Sequence, residues 1–213
     1  MILFLINLHK KFHDQMKEIH DIFKKEAQAI ANIPVTGIYQ KVVELFYDHV
    51  HFRKGKIITS GMGKAGQIAL NIATTFSSTG TPSVFLHPSE AQHGDLGVIQ
   101  ENDVLLAVSN SGKTREIIEL LDLTVGLHPE IPVVVITGNS ESELANRANF
   151  VLTTGNPEEV CILGLTPTTS TTVMTVIGDA LVVLMEKRIG FSNSEYAKRH
   201  HGGYLGHKSR SKS

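Results

Sequence analysis

The feature that most constrains this chain is a series of five short apolar runs: Ile57-Ile58-Thr59, Val84-Phe85-Leu86, Val104-Leu105-Leu106-Ala107-Val108, Val133-Val134-Val135-Ile136 and Phe150-Val151-Leu152. Each is closed by small or hydroxyl residues, and the segments between them have helical spacing. A strand with one wet face alternates apolar and polar residues. These runs are continuous and rich in β-branched side chains, so they suit strands covered on both faces, as in a parallel sheet. Residues 65–78, 114–125, 141–148 and 168–188 are the predicted helices. The alternation predicts an α/β fold, a three-layer αβα sandwich around a parallel sheet.

Two more helices are expected ahead of the first strand, over residues 10–52. Phe12, Met16, Ile19, Phe23, Ala27 and Ile30 form one apolar stripe that stops before Pro34. A second stripe, Ile38, Val42, Leu45, Phe46 and Val50, follows Thr36-Gly37. No internal repeat or linker marks a second unit, and 213 residues suit one generous domain over 1–206, with 207–213 expected to be a flexible tail.

Charge excludes some partners. The 20 Lys+Arg nearly cancel the 21 Asp+Glu, for a net charge of -1, which gives no overall field for gripping nucleic acid or an anionic membrane. The expected partner is a small molecule or another protein. A single cysteine, Cys161, excludes an intrachain disulfide and a multi-cysteine zinc site and points to a reducing compartment. Residues 2–8 are apolar but lack the basic start and cleavage site of a secretory signal, and no stretch reads as a membrane helix, so a cytoplasmic location is expected. Against these plain totals, 18 glycines and 11 histidines stand out.

In open α/β sheets ligands bind beyond the carboxyl ends of the strands, so the strand-to-helix loops are where chemistry is expected. Ser60-Gly61-Met62-Gly63-Lys64-Ala65-Gly66 follows a strand and opens a helix, where Gly61 and Gly63 permit close backbone approach and amides face an anion. It fits G-x-G-x-x-G, yet a dinucleotide site needs an acidic residue after the next strand, which instead ends in His87-Pro88. Ser109-Asn110-Ser111-Gly112-Lys113-Thr114 repeats the arrangement, and the hydroxyls of Ser109, Ser111 and Thr114 suit a phosphate. Its last three residues imitate a Walker motif, but the glycine required five positions before Gly112 is Ala107. Two such loops on neighbouring strands fit one small phosphorylated ligand.

Three other places carry candidate chemistry. Thr168-Thr169-Ser170-Thr171-Thr172 opens the last long helix and either caps it or offers hydroxyls to a sugar. The stretch from His87 to Asp95 gathers His87, Glu90, His93 and Asp95, open to a polar loop, a catalytic histidine or a metal site. Glu158-Glu159, which alone reads as solvated surface, and His200-His201-Gly202-Gly203, which alone reads as an exposed tail, complete the set.

Taken in order, Gly61-Met62-Gly63-Lys64-Ala65-Gly66, Ser78-Thr79-Gly80-Thr81-Pro82-Ser83, His87-Pro88-Ser89-Glu90-Ala91-Gln92-His93-Gly94-Asp95 and Ser109-Asn110-Ser111-Gly112 resemble the sugar isomerase (SIS) domain of the arabinose 5-phosphate isomerases. Leu163-Gly164-Leu165-Thr166-Pro167, Gly178-Asp179-Ala180-Leu181 and His200-His201-Gly202-Gly203 extend the resemblance, which spans about residues 35–206. It implies a flavodoxin-like fold with five parallel strands and no cofactor or metal. It also implies interconversion of D-arabinose 5-phosphate and D-ribulose 5-phosphate through an enediol, supplying Kdo for lipopolysaccharide or capsule. Lys64, His93, Glu116, Glu159 and His200 are the implied active-site residues, in a homotetramer whose sites are completed by neighbouring subunits.

On this basis Glu159 is the C–H base, His200 the second acid–base group or ring-opening catalyst, and Lys64 the partner of the enediolate oxygen; Glu116 would orient Lys64 or His200. Two residues depart from the pattern: Lys113 where relatives commonly carry an acid, and His201 where they commonly carry proline. The tandem CBS pair that follows in many relatives does not follow here. A phosphosugar sensor or an isomerase of another phosphosugar is the alternative on the same fold.

Overall fold

The structure, a computed structural model, describes residues 2–210. In chain order it contains α1 (Ile2–Ala31), α2 (Ile38–Phe46) running into a π-helical turn (Tyr47–Phe52), β1 (Ile57–Gly61), α3 (Gly63–Ser78), β2 (Ser83–Phe85), α4 (Pro88–Ala91) and a 3₁₀ turn (Asp95–Val98). Then come β3 (Val104–Val108), α5 (Arg115–Leu127), β4 (Val133–Thr137), α6 (Glu143–Asn146), β5 (Phe150–Thr153), α7 (Thr169–Ile189), α8 (Asn193–Arg199) and α9 (Gly203–Arg210).

The five strands form one parallel sheet in the order β2-β1-β3-β4-β5, with Ile57 opposite both Ser83 and Val104, Leu105 opposite Val133 and Val134 opposite Phe150. Every residue of β1, β3 and β4 is buried, as the unbroken apolar runs predict. Successive side chains point to opposite faces. Ile57, Val104, Leu106 and Val134 accordingly pack with Phe46 of α2, Phe76 of α3 and Ile177 and Leu181 of α7. Ile58, Leu105, Val133 and Val135 pack with Ile117, Leu120 and Leu121 of α5 and Leu144 of α6.

Helices α3 and α7 lie side by side on the first face and cross closely at Gly178, where a Cβ would stand 2.5 Å from Ile72 Cγ1. By length and composition α7 could cross a membrane, unlike the sequence expectation of no such stretch. Half of its most apolar window is buried in the fold, however, so its apolar residues belong to the core.

Several elements differ from the sequence reading. Helix α1 starts at Ile2 rather than Phe12, because no glycine or proline interrupts residues 2–31. Among the described side chains its apolar stripe is not core in this chain: Met16 and Phe23 are 64% and 67% exposed, and its apolar residues become partly buried only at Ala29 and Ile30. The helix predicted over 141–148 is one turn, since Ser142 Oγ caps it by accepting from Ala145 N and the Asn149 side chain is drawn onto Val133 N at the sheet. The tail expected over 207–213 is helical as far as Arg210. There Ser209 is buried and its hydroxyl donates to Gly206 O, while Gly206 lies directly against the His200 carbonyl. Residues 211–213 lie outside the described residues.

The amino ends of β1 and β3 are pinned by Asp103, which is fully buried. Its carboxylate accepts from Lys56 N at 2.8 Å, Lys56 Nζ at 2.7 Å and Gln100 N at 2.8 Å. Asp103→Ala strands a half-buried ammonium and two amides, so it is expected to lower the unfolding free energy by about 3 kcal/mol or more, read as a fall in the urea midpoint at unchanged m-value.

Candidate active site

Strand order reverses at β1: the chain passes to β2 on one side and later places β3, β4 and β5 on the other. Helix α3, leaving β1, and α5, leaving β3, cover opposite faces, so a crevice opens between the carboxyl ends of these two strands.

On the β1 wall only Met62 separates strand from helix. Ser60 Oγ donates to Leu86 O at 2.7 Å, tying the strand end to the exit of β2. A Cβ on Gly61 would sit 2.7 Å from Ala65 O, and one on Gly66 2.6 Å from Gly61 O. Glycine is what lets the strand end and the first turn of α3 touch main chain to main chain. Lys64 is exposed in that turn.

On the β3 wall the buried Ser109 hydroxyl bonds Thr114 Oγ at 2.9 Å and accepts from Gly112 N at 3.2 Å, and Ser111 Oγ accepts from Lys113 N at 3.2 Å. Ser111 accepts here without spending its proton, and one proton of the Ser109–Thr114 pair is likewise uncommitted, so hydroxyls as well as main-chain amides remain to face an anion. Neither Met62 nor Thr114, the residues preceding α3 and α5, caps its helix with a side chain, whereas Ser142 and Ser192 do so for α6 and α8. Two helix starts with uncapped amides and the positive ends of their dipoles meet at one crevice, an arrangement suited to phosphate.

Glu159 lies at the same end of the sheet, where the chain leaving β5 turns into α7. Its Oε2 accepts from Thr168 N at 2.7 Å, Thr168 Oγ at 2.9 Å and Ser170 N at 3.3 Å. Glu159 is therefore the cap of α7. The hydroxyl-rich segment neither caps its own helix in the usual way nor stands open to a sugar: Thr168 serves Glu159, and Thr171 and Thr172 donate back to Thr168 O. Burial pushes the Glu159 pKa up, but the hydrogen bonds it accepts from Thr168 and Ser170 together outweigh it and hold the carboxyl below its ordinary value. Glu159 is a partly buried carboxylate, ionised at neutral pH. Beside it, Cys161 Sγ accepts from Leu165 N at 3.2 Å and Thr166 N at 3.1 Å, closing a turn from which Ile162 projects wholly into solvent.

Of the residues the sequence points to, Lys64, His93, Glu116 and Glu159 share the carboxyl end of the sheet. Lys64 and Glu159 sit at the starts of the paired helices α3 and α7. Glu116 is partly buried in the first turn of α5 and is joined to neither Lys64 nor His200 among the described residues. His93 is exposed after α4, on a loop held to α5 where Gln92 Nε2 donates to Glu119 Oε2 at 2.9 Å. His87, which follows β2, is not among the implied active-site residues. Its Nδ1 is buried without a hydrogen-bond partner, and its position at a strand end is the signal that could raise it.

His200 is elsewhere. It follows α8, its ring stacked on Tyr196 at 3.7 Å between centroids, with Nδ1 3.0 Å from Tyr196 O. The α8 region packs at Gly80, where a Cβ would be 2.9 Å from the Phe191 ring and 3.6 Å from Arg199 Cζ. Gly80 follows the far end of α3, and the 16 residues of that helix put about 24 Å between its two ends. His200 and the exposed His201 therefore sit at the amino end of the sheet, opposite Lys64 and Glu159 of their own chain.

The fold and this crevice define a doubly wound α/β domain with an anion-accepting site at its strand-order reversal. Residues 52–184 match the SIS domain family, and the chain belongs to that family. Among curated proteins it is 49% identical over 155 residues to the arabinose 5-phosphate isomerase KdsD of Shigella flexneri, covering 73% of this chain and 47% of that one. The chain thus spans about half the length of that relative. Among solved structures it superposes on a proposed phosphosugar isomerase involved in capsule formation from Bacteroides fragilis, with 64% identity and a TM-score of 0.88 over 89% of this chain and 99% of the other. A protein of Escherichia coli CFT073 solved in complex with arabinose 5-phosphate is 30% identical, with a TM-score of 0.81 over 88% and 98% of the two chains.

The lowered Glu159 pKa has a sign that can be checked. A carboxylate whose folded pKa lies below its unfolded value contributes stability above the unfolded pKa, and that contribution is lost as pH falls through the folded one. Glu159→Gln is therefore expected to be less stable than wild type at neutral pH and to narrow that gap in acid, measured by urea titration at about pH 7 and about pH 3.

Proposed function

We propose that this protein is a sugar-phosphate isomerase that interconverts D-arabinose 5-phosphate and D-ribulose 5-phosphate, on the path to Kdo for lipopolysaccharide or capsule, in the cytoplasm. The observation that carries the reading is the ionised Glu159 carboxylate, held by three donors at the end of the sheet where two uncapped helix starts await a phosphate. The similarity to the Shigella KdsD supports the substrate, as does the neighbour solved with arabinose 5-phosphate bound. The similarity to the Bacteroides protein supports capsule as the destination.

The chemistry follows from the placement. The amides at the starts of α3 and α5, with Gly61, Gly63, Ser109, Ser111 and Thr114, hold the phosphate and so fix the open-chain sugar in orientation. Glu159 takes the proton from C2 of the aldose as the carbonyl at C1 becomes an enediolate. Lys64 stabilises the oxygen that gains charge, and Glu159 returns the proton to C1. Movement of the hydroxyl proton between O1 and O2, and opening of the sugar ring, fall to His200. His93 and Glu116 complete the wall of the site on the α5 side.

Since His200 stands at the opposite end of its own sheet, it serves the site of a neighbouring subunit. An assembly of this sort, a homotetramer, also suits the exposed apolar residues Met16 and Phe23 on α1 and Ile162 and Leu163 beside Glu159.

Incubation with D-ribulose 5-phosphate in D₂O is expected to give arabinose 5-phosphate, followed by NMR, with deuterium at C2 to the extent that the proton on Glu159 exchanges with solvent before its return; folded protein that forms no aldose and exchanges no proton overturns the isomerase reading. Glu159→Gln is expected to lose about 10² to 10⁴ in kcat with its fold intact. Sharing of sites between subunits has its own test. Glu159→Gln and His200→Ala proteins, each inactive, are expected to regain about a quarter of wild-type turnover when unfolded together and reassembled at random, because a quarter of the sites then receive both intact residues. No recovery means that each chain completes its own site.

A further inference from the structure

Glu26 lies on α1, ahead of the residues that carry the family match, yet its carboxylate reaches the segment that bears Glu159. Thr169, the first residue of α7 and 1% exposed, donates its hydroxyl to Glu26 Oε1 at 3.1 Å and accepts with the same oxygen from Val160 N at 3.2 Å. Val160 follows Glu159 in the chain, so the peptide joining them is fixed by this relay. Three consecutive residues at the helix start are thus divided between two carboxylates: Thr168 and Ser170 bind Glu159, and Thr169 binds Glu26.

The relay has a direction. A hydroxyl carries one proton and two lone pairs. With the proton committed to Glu26, Thr169 Oγ can offer Val160 only lone pairs, which is what an amide needs. Remove Glu26 and the buried hydroxyl is free to turn its proton elsewhere, and the Glu159–Val160 peptide loses a fixed acceptor. Glu26 also bears a cost that a solubilising surface acid does not, because its Oε2 is buried with no hydrogen-bond partner.

We infer that Glu26 is a positioning residue for the base: through Thr169 it sets the main chain from which the Glu159 side chain reaches the substrate. The inference rests on Glu159 being that base. Glu26→Ala and Thr169→Val are expected to lower kcat by about tenfold or more while KM changes less than about twofold, because displaced reacting groups lose rate rather than phosphate affinity. Glu26→Gln keeps an acceptor for the Thr169 hydroxyl and is expected to retain at least about half of wild-type kcat. The double variant Glu26→Ala with Thr169→Val is expected to be no worse than the poorer single one, as for two members of one relay. Full kcat in Glu26→Ala, a Gln variant as impaired as the Ala one, or additive losses in the double variant overturn the inference.

Hydrogen exchange followed by mass spectrometry on peptides covering 157–165 reads the tether without any turnover. Faster exchange in Glu26→Ala but not in Glu26→Gln supports it, and unchanged exchange overturns it. Should the wild-type protein prove inactive on the pentose phosphates, the functional reading fails and the exchange result still decides whether Glu26 holds the loop.

Discussion

Contact between main chains at the end of β1 is the constraint on which the site depends. Because Gly61 and Gly66 lack side chains, strand and helix meet with one residue between them, and the start of α3 is held at the sheet instead of standing off on a longer loop. A short connection leaves the first amides of the helix pointed at the crevice and places Lys64 at its rim. The same economy recurs at Gly178, where α7 is drawn against Ile72 of α3, so that both helices run from the same end of the sheet. Helix–sheet packing and the arrangement of charges are one design here, set by how near two backbones can come.

The sheet was legible because burial on both faces leaves an unmistakable trace, the unbroken apolar runs of β1, β3 and β4. The loops at the strand ends were legible because glycine and hydroxyl residues cluster where β1 and β3 stop and a helix begins. Other features turn on distances that no local pattern encodes. The stripe of α1 is as regular as that of any core helix, yet within one chain Met16 and Phe23 face solvent; periodicity reports that a face wants cover, not which molecule supplies it.

The placement of His200 follows from the length of α7, whose 21 residues carry the chain about 31 Å to the amino end of the sheet. The hydroxyls of 168–172 looked like a sugar-binding array because composition shows donors without showing what already engages them. Glu26 gave no signal at all, since its partner lies 143 residues away.

The capping of α7 by Glu159 has a consequence for the proton it carries. In the reaction proposed above, the carboxylate that accepts hydrogen from carbon is also the group that neutralises the start of the longest helix packed on the sheet. Once protonated it is a poorer acceptor for Thr168 and Ser170, and the helix dipole loses its counter-charge. Every donor at that end therefore pulls the acid back toward its ionised form. A shuttle base wants this, because the proton is borrowed briefly and surrendered readily to the adjacent carbon, and the helix acts as the spring that drives its return.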